Sequence, residues 1–188
     1  MYFHIRKENE TRTIRILHAV PDDWEAAMAL AWRTFRKFEA DDYPKEGVES
    51  FLKFISDSTL NRMFLLGRYR LWVAKDGETI VGLVSLREHN HISLLFVDEK
   101  YQHCGIGRAL VAVVTEFLKE EPDERFLPEN EENKILDLLY EKEPGGFCTV
   151  FSAPYATEFY HKLGFRDTAG IQQNDGIIFT PMRLEGKA

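Results

Sequence analysis

The sequence predicts a mixed α/β fold, a sheet with helices on both faces. Three observations lead there. Apolar residues recur at the three- and four-residue spacing of helices in several separate stretches. Between these stretches lie short apolar runs of strand type. Turn signals, Asp76-Gly77 above all, join neighbouring runs. The order reads β, αα, βββ, α, insertion, β, α, ββ, and a layered sheet is the natural way to bury it.

Each element follows from its residues. "TIRILHAV", Thr13 to Val20, reads as a strand, and residues 1–11 before it read as an extra strand or a loose arm. Pro21, Asp22 and Asp23 supply turn and helix-cap chemistry. Trp24, Ala27, Met28, Ala31, Phe35 and Phe38 make one apolar helical face. "ADDYPKEG" interrupts, and Val48, Phe51, Leu52 and Ile55 make a second, shorter helix. "RLWVAKDGETIVGLVSL" is a hairpin turning at Asp76-Gly77. "HISLLFV" is a third run, reached through the polar "REHN".

Ala109, Leu110, Val113, Val114, Phe117 and Leu118 face inward from the next helix. "NKILDLLYEK", inside a polar stretch, reads as a short helix. "GGFCTVFSAP" is a strand after a double-glycine turn. "YATEFYHKLG" is a helix that Gly164 ends at its C′ position. "FRDTAG" and "GIIFTPMRL" form a closing antiparallel pair.

At 188 residues the chain fits one domain, residues 1–188, with an arm at 1–11 and an acidic insertion at 119–146. No apolar run has the length of a membrane helix, and "MYFHIRKENETRTIRIL" has no signal core. Cys104 and Cys148 make no disulfide framework, so a cytoplasmic, reduced protein is expected. The net charge is −7, and Lys119 to Glu143 holds most of it, ten acidic residues against four basic ones. With no basic stripe, nucleic acid is a poor partner. The stretch is too poor in apolar residues to bury its own core. Ile135, Leu136, Leu138, Leu139 and Tyr140 would dock on the sheet or on a second copy of the chain, a homodimer.

"EKYQHCGIGRAL", residues 99–110, joins a strand to a helix and carries two glycines. Glycines at a helix N-terminus let a bulky anion reach unpaired N–H groups. They equally serve a tight turn needing positive φ. A P-loop would follow Gly107 with Lys and Ser or Thr, not Arg108 and Ala109. A dinucleotide fingerprint would put a small residue at Leu110 and an acidic strand end about 20 residues on.

"Q-H-C-G-I-G" resembles the Gln/Arg-x-x-Gly-x-Gly/Ala pyrophosphate loop of the GNAT superfamily, the acyl-CoA-dependent N-acyltransferases. "SAPYATEFYHKLGF" is similar to that superfamily's late helix with its Phe-Tyr-x-x-x-Gly-Phe ending, and the element order matches too. The likeness runs from about residue 12 to the C-terminus. The leading arm and the long acidic stretch depart from it.

The resemblance implies a central, mostly antiparallel sheet splayed between the fourth and fifth strands of the predicted order. It implies acetyl-CoA as cosubstrate, no metal, and direct acetyl transfer to a primary amine of a small molecule, peptide or protein. Leu95, Phe96 and Val97 would offer backbone groups to the pantetheine arm like an added strand. Gln102, His103, Cys104, Gly105, Ile106, Gly107 and Arg108 would wrap the pyrophosphate.

Acyl transfer to an amine needs a neutral amine, a stabilised carbonyl oxygen and a proton for the leaving thiolate. By the motif match Tyr160 is the candidate acid; otherwise it packs between helix and sheet. Glu99 is the candidate base, with Asp98 beside it, and both equally read as solvated turn residues. His89 and His91 are further proton acceptors, and a water chain would replace any of them. Cys104 reads as loop filler and Cys148 as core. Asp41 and Asp42, in the loop between the first two helices, would meet an acceptor ammonium group or simply face solvent. Two other functions compete: a non-catalytic acyl-CoA sensor, which would keep the loop and lose the acid, and a nucleotide-dependent regulator.

Overall fold

The computed structural model describes residues 1–7, 10–87, 90–119 and 148–185. The candidate His89 and the predicted helix "NKILDLLYEK", with nearly all of the acidic insertion, lie outside the described residues.

The arm is a strand, not a loose end. β1 (Tyr2–Lys7) pairs antiparallel with β2 (Glu10–His18) along its whole length, and Ile5 is buried. α1 (Trp24–Phe38) begins after the turn at Pro21–Asp23, where Asp23 accepts the Val20 N–H at 3.1 Å. α2 (Lys45–Ile55) follows. A third helix, α3 (Ser58–Leu65), was not expected; Asp57 caps it by accepting the Thr59 N–H at 2.7 Å.

β3 (Arg70–Asp76) and β4 (Thr79–Arg87) form the expected hairpin, with Gly77 at φ +58°. Then come β5 (His91–Val97), α4 (Ile106–Lys119), β6 (Cys148–Ser152) and α5 (Thr157–Lys162), which Gly164 ends at φ +94°. Three strands close the chain: β7 (Arg166–Asp167), β8 (Gln172–Asn174) and β9 (Ile177–Leu184). β8 was also unforeseen. It is exposed and polar, and pairs with β9 across a turn in which Asp175 and Gly176 both take positive φ.

The strand order is β1-β2-β3-β4-β5-β6-β9-β7, with β8 beside β9. Every pair is antiparallel except β5–β6. The sheet is therefore the mixed, mostly antiparallel one expected. One face is covered by α1, α2 and α3, whose Leu30, Phe35, Ile55 and Leu60 meet Leu71, Val73, Leu83, Leu94 and Phe96. The other is covered by α4 and α5, whose Leu110, Val114 and Tyr160 meet Trp72, Ala74, Val84 and Ile92.

Two features of β5 set up the site. Opposite Ser85 and Leu86 of β4 stand Leu94 and Ile92, so Ser93 is an extra residue, a β-bulge. It changes the phase of the strand: Ile92 belongs to the α4 face, whereas Leu94 and Phe96 belong to the α1 face. The bulge is held by a triangle of hydroxyls. Tyr69 Oη donates to Ser85 Oγ at 2.7 Å and lies 3.0 Å from Ser93 Oγ, which is 3.0 Å from Ser85 Oγ. The second feature is where pairing with β6 stops. Among the described residues only His91↔Thr149 and Ile92↔Val150 are paired, and from Ser93 onward the two strands part.

Candidate active site

The parting of β5 and β6 opens a cleft of about 120 Å³, several times the roughly 30 Å³ of one water. Ile92 to Phe96 form one wall, and Val150, Phe151, Ala153, Ala156 and Tyr160 the other. The unpaired β5 edge leaves backbone groups available to an extended ligand, the arrangement of strand addition.

The glycine loop lies where β5 ends. Asp98 caps the turn Glu99–Tyr101 by accepting the Lys100 N–H at 3.0 Å. Tyr101 is buried and donates its hydroxyl to Asp76 at 2.7 Å, and Asp76 also receives Arg12 at 2.9 Å, so the loop is anchored to the hairpin turn and to β2. Gln102 folds back and donates Nε2 to the Val97 carbonyl at 3.2 Å. His103 and Gly105 take positive φ, +59° and +85°. Nothing lies within 4 Å of where a Gly105 side chain would start, so that glycine serves the backbone turn and leaves open space in front of it. Gly107 differs: a side chain there would meet the ring of Phe159 at 3.3 Å. Ile106 is fully buried against Gly82 of β4, Cys104 is half-buried in the core, and Arg108 is exposed. Leu95 and Phe96 line the cleft, while Val97 is half-buried on the α4 face.

Tyr160 reaches the cleft from α5. It is 4% exposed, with its ring edge-on to Phe159 and Phe165. No described residue hydrogen-bonds its hydroxyl. Burial, then the nearby Cys148 and Glu39, push its pKa above the usual phenol value, so it keeps its proton through the neutral range. Cys148 is wholly buried, and burial raises its thiol to about 12, which suits a core residue.

The other described proton-transfer candidates do not line this cleft. Glu99 stands half-exposed on the turn and pairs with Lys37 at 2.6 Å; Asp98 pairs with Arg33 at 2.9 Å. His91 is buried where β5 and β6 still pair, 2.9 Å from Thr149 Oγ1 and edge-on to Phe151. Burial and then Arg87 lower its pKa to about 4. Asp41 and Asp42 are exposed in the turn after α1.

The carboxylate that does line the cleft is Glu39, which the sequence reading passed over. It ends α1, its N–H donating to the Phe35 carbonyl at 2.9 Å. Burial, then Asp42, raise its pKa to about 7. A signal was present: Glu39 follows Phe35 by four residues and so continues the apolar stripe of α1.

Among the described residues no helix is long and apolar enough to cross a membrane. No curated protein matches this chain. Solved structures share its fold. A GCN5-related N-acetyltransferase from Rhodopseudomonas palustris is 20% identical over 91% of this chain and 94% of that one, with a TM-score of 0.66. The PaiA N-acetyltransferase of Thermoplasma acidophilum, solved in complex with coenzyme A, is 19% identical over 92% and 98%, with a TM-score of 0.61. Ard1 from Thermoplasma volcanium is 17% identical over 93% and 99%, with a TM-score of 0.54. At such identities the likeness establishes the fold. The sequence model of the acetyltransferase (GNAT) domain matches residues 39–142 and 132–186, more than half of the chain. The splayed sheet, the glycine loop and this match agree: the chain belongs to the GNAT family of acetyltransferases.

Proposed function

We propose that the chain, acting as one domain, transfers an acetyl group from acetyl-CoA directly to a primary amine. The observation that carries this reading is the parting of β5 from β6 at the Ser93 bulge, which leads from the glycine loop to Tyr160. The residues fit the cosubstrate. The unpaired edge of β5 at Leu95, Phe96 and Val97 suits the amide-bearing arm. The backbone of Gln102, His103, Cys104, Gly105, Ile106, Gly107 and Arg108 suits the pyrophosphate, with the open space before Gly105 to receive it.

Acetyl-CoA supplies the thioester that is cleaved. The protein's own groups do the rest. The apolar cleft excludes water, which would compete with the amine. Tyr160, held protonated by its burial, donates to the departing sulfur. An amine-bearing acceptor enters between the α1–α2 loop and β9, where Glu39, Tyr43, Ile177 and Phe179 line the cleft.

Thermal melting with acetyl-CoA, CoA and ATP, joined to thiol release over a panel of amines, tests the reading. Stabilisation by the CoA compounds but not ATP, with amine-dependent thiol release, is expected. Stabilisation by ATP alone would replace it with a nucleotide-binding function. CoA binding without thiol release from any amine would leave a sensor.

A further inference from the structure

We propose that Glu39 is the group that takes the proton from the acceptor ammonium, in a chamber whose aromatic walls select a primary amine borne on an apolar group. This rests on the acetyltransferase reading above and assigns the base and the acceptor class within it.

Position comes first. Glu39 stands on the cleft wall with Leu94, Leu95 and Phe96 of the unpaired β5 edge, and Tyr160 shares the same space from α5. Both groups line one cavity, and the charge of Glu39 helps to raise the pKa of Tyr160. The carboxylates at the loop outside are neutralised, Asp98 by Arg33 and Glu99 by Lys37, whereas Glu39 has no ion-pair partner among the described residues.

The groups around it decide its state. Asp42 and Tyr43 face it from its own turn, and Tyr160 from α5. The other lining residues, Phe35, Phe51, Ile92 to Phe96, Val150, Phe151, Ala153, Ala156, Ile177 and Phe179, do not titrate. Burial and the Asp42 charge therefore favour its neutral form, and it titrates at about 7. The same apolar surroundings disfavour an ammonium ion. A neutral amine beside a neutral carboxylic acid is then favoured over the ion pair, so the proton moves to Glu39.

The walls define what carries the amine. Phe51 stacks on Phe35 at 4.0 Å, and Phe151 lies 4.4 Å from Phe179 on the far arm. α2 and the β8–β9 turn bridge these arms: Ser50 Oγ donates to the Asp175 carbonyl at 2.8 Å, and Gly47 packs on Gly176. Rings on both arms bury an aryl or alkyl group and leave Glu39 as the polar contact for its amine.

The step balances. The ammonium proton goes to Glu39, the amine lone pair forms the C–N bond to the acetyl carbon, and the C–S bond breaks. Tyr160 gives its proton to the thiolate. The acylated nitrogen gives up its second proton, which reprotonates the Tyr160 phenolate through water, and the proton on Glu39 returns to solvent, so ammonium and thioester become amide, thiol and one released proton.

The test is thiol release from acetyl-CoA with 2-phenylethylamine and with spermidine, from pH 5.5 to 9, for the wild type, Glu39→Gln and Glu39→Asp. The wild type should prefer phenylethylamine at least about tenfold in kcat/KM, with an acid limb near pH 7. Glu39→Gln should lose about 10²–10⁴-fold at pH 8 and lose that limb, and Glu39→Asp should restore part of the rate with a shifted limb. All three should be stabilised equally by acetyl-CoA. A Glu39→Gln protein with wild-type rate and limb overturns the base assignment. Equal or better use of spermidine, or no turnover of phenylethylamine by an enzyme that binds acetyl-CoA, overturns the acceptor class. Loss of acetyl-CoA binding by the wild type would instead sink the reading beneath. If Glu39→Gln does not fold, a carboxyl ¹³C titration of the full chain decides, with the signal identified through Glu39→Asp. A midpoint near 7 supports the role, and one in the ordinary glutamate range overturns it.

Discussion

The ring of Phe159 on α5 lies over Gly107 on α4, so near that a side chain on Gly107 would meet Cε2 and Cζ at 3.3 Å. The glycine that looks like a ligand position in the sequence thus also lets two helices close on each other beside the loop. Gly107→Val should lower unfolding stability by about 1–3 kcal/mol, as overpacking does, and abolish the acetyl-CoA shift in melting temperature. Adding Phe159→Leu should return part of the stability. Urea titration of the three proteins checks this; an unchanged midpoint in Gly107→Val would show that the ring moves freely.

Gly105 should respond for a different reason. Its φ is +85° with open space around it, so Gly105→Ala carries only the backbone penalty, about 1–2 kcal/mol. No second-site change in a neighbouring side chain should relieve it. A full rescue by a smaller neighbour would contradict this origin.

Tyr160→Phe removes a hydroxyl that no described residue bonds, so melting temperature should barely change. If the phenol protonates the thiolate, kcat should fall roughly 10²–10⁴-fold. The low end is expected, because CoA thiolate is a tolerable leaving group. Acetyl-CoA affinity should hold. Because burial raises this pKa, no alkaline loss of rate below about pH 10 should come from Tyr160. Undiminished turnover, measured with chemistry limiting, would remove the role.

Lys75 Nζ lies 2.6 Å from Asp23 Oδ1, with side chains only 12% and 9% exposed, and the second Asp23 oxygen takes the Val20 N–H. Asp23→Ala leaves a buried ammonium unpaired and should destabilise by about 3 kcal/mol. Asp23→Ala with Lys75→Met should be considerably more stable than the single variant. Chemical denaturation decides; equal losses would mean that water reaches the lysine.

Buried His91 and half-buried Glu39 oppose each other in acid. His91 has a folded pKa of about 4 against 6.5, so its contribution is present above 6.5 and is lost as pH falls to 4. Glu39 has a folded pKa of about 7 against 4.5, so the folded state holds the extra proton and gains stability as pH falls through that window. Each shift corresponds to roughly 3 kcal/mol at 1.36 kcal/mol per pH unit, so between 4.5 and 6.5 they nearly cancel. Glu39→Gln keeps the neutral form at every pH. It should stabilise the protein at pH 8 and lose that advantage by pH 5, as melting temperatures at the two values would show. A constant difference would place Glu39 in solvent.

Most elements and the family are legible in the order of residues alone. Helical stripes such as Trp24 to Phe35, the Asp76-Gly77 hairpin and the Gly164 helix stop act over a few residues, so they are legible without a fold. The motif residues Gln102 to Arg108 and Tyr160 were legible as resemblance, and the structure places the loop at the end of β5 and Tyr160 on the cleft. The polar strand β8 and the short helix α3 were missed because pairing with β9 and packing of Leu60 hold them, not periodicity. The bulge at Ser93 has no signal in one dimension, because it depends on hydroxyls of Tyr69, just before β3, and of Ser85 on β4. The tertiary structure alone singled out Glu39. The carboxyls in "EADD" look alike in one dimension. Burial against rings from α1, α2 and β9, with Asp42 beside it, lifts the pKa of Glu39, while Asp41 and Asp42 stay in water. An acid's chemistry is set by the dielectric and charges around it, and those come from residues far along the chain.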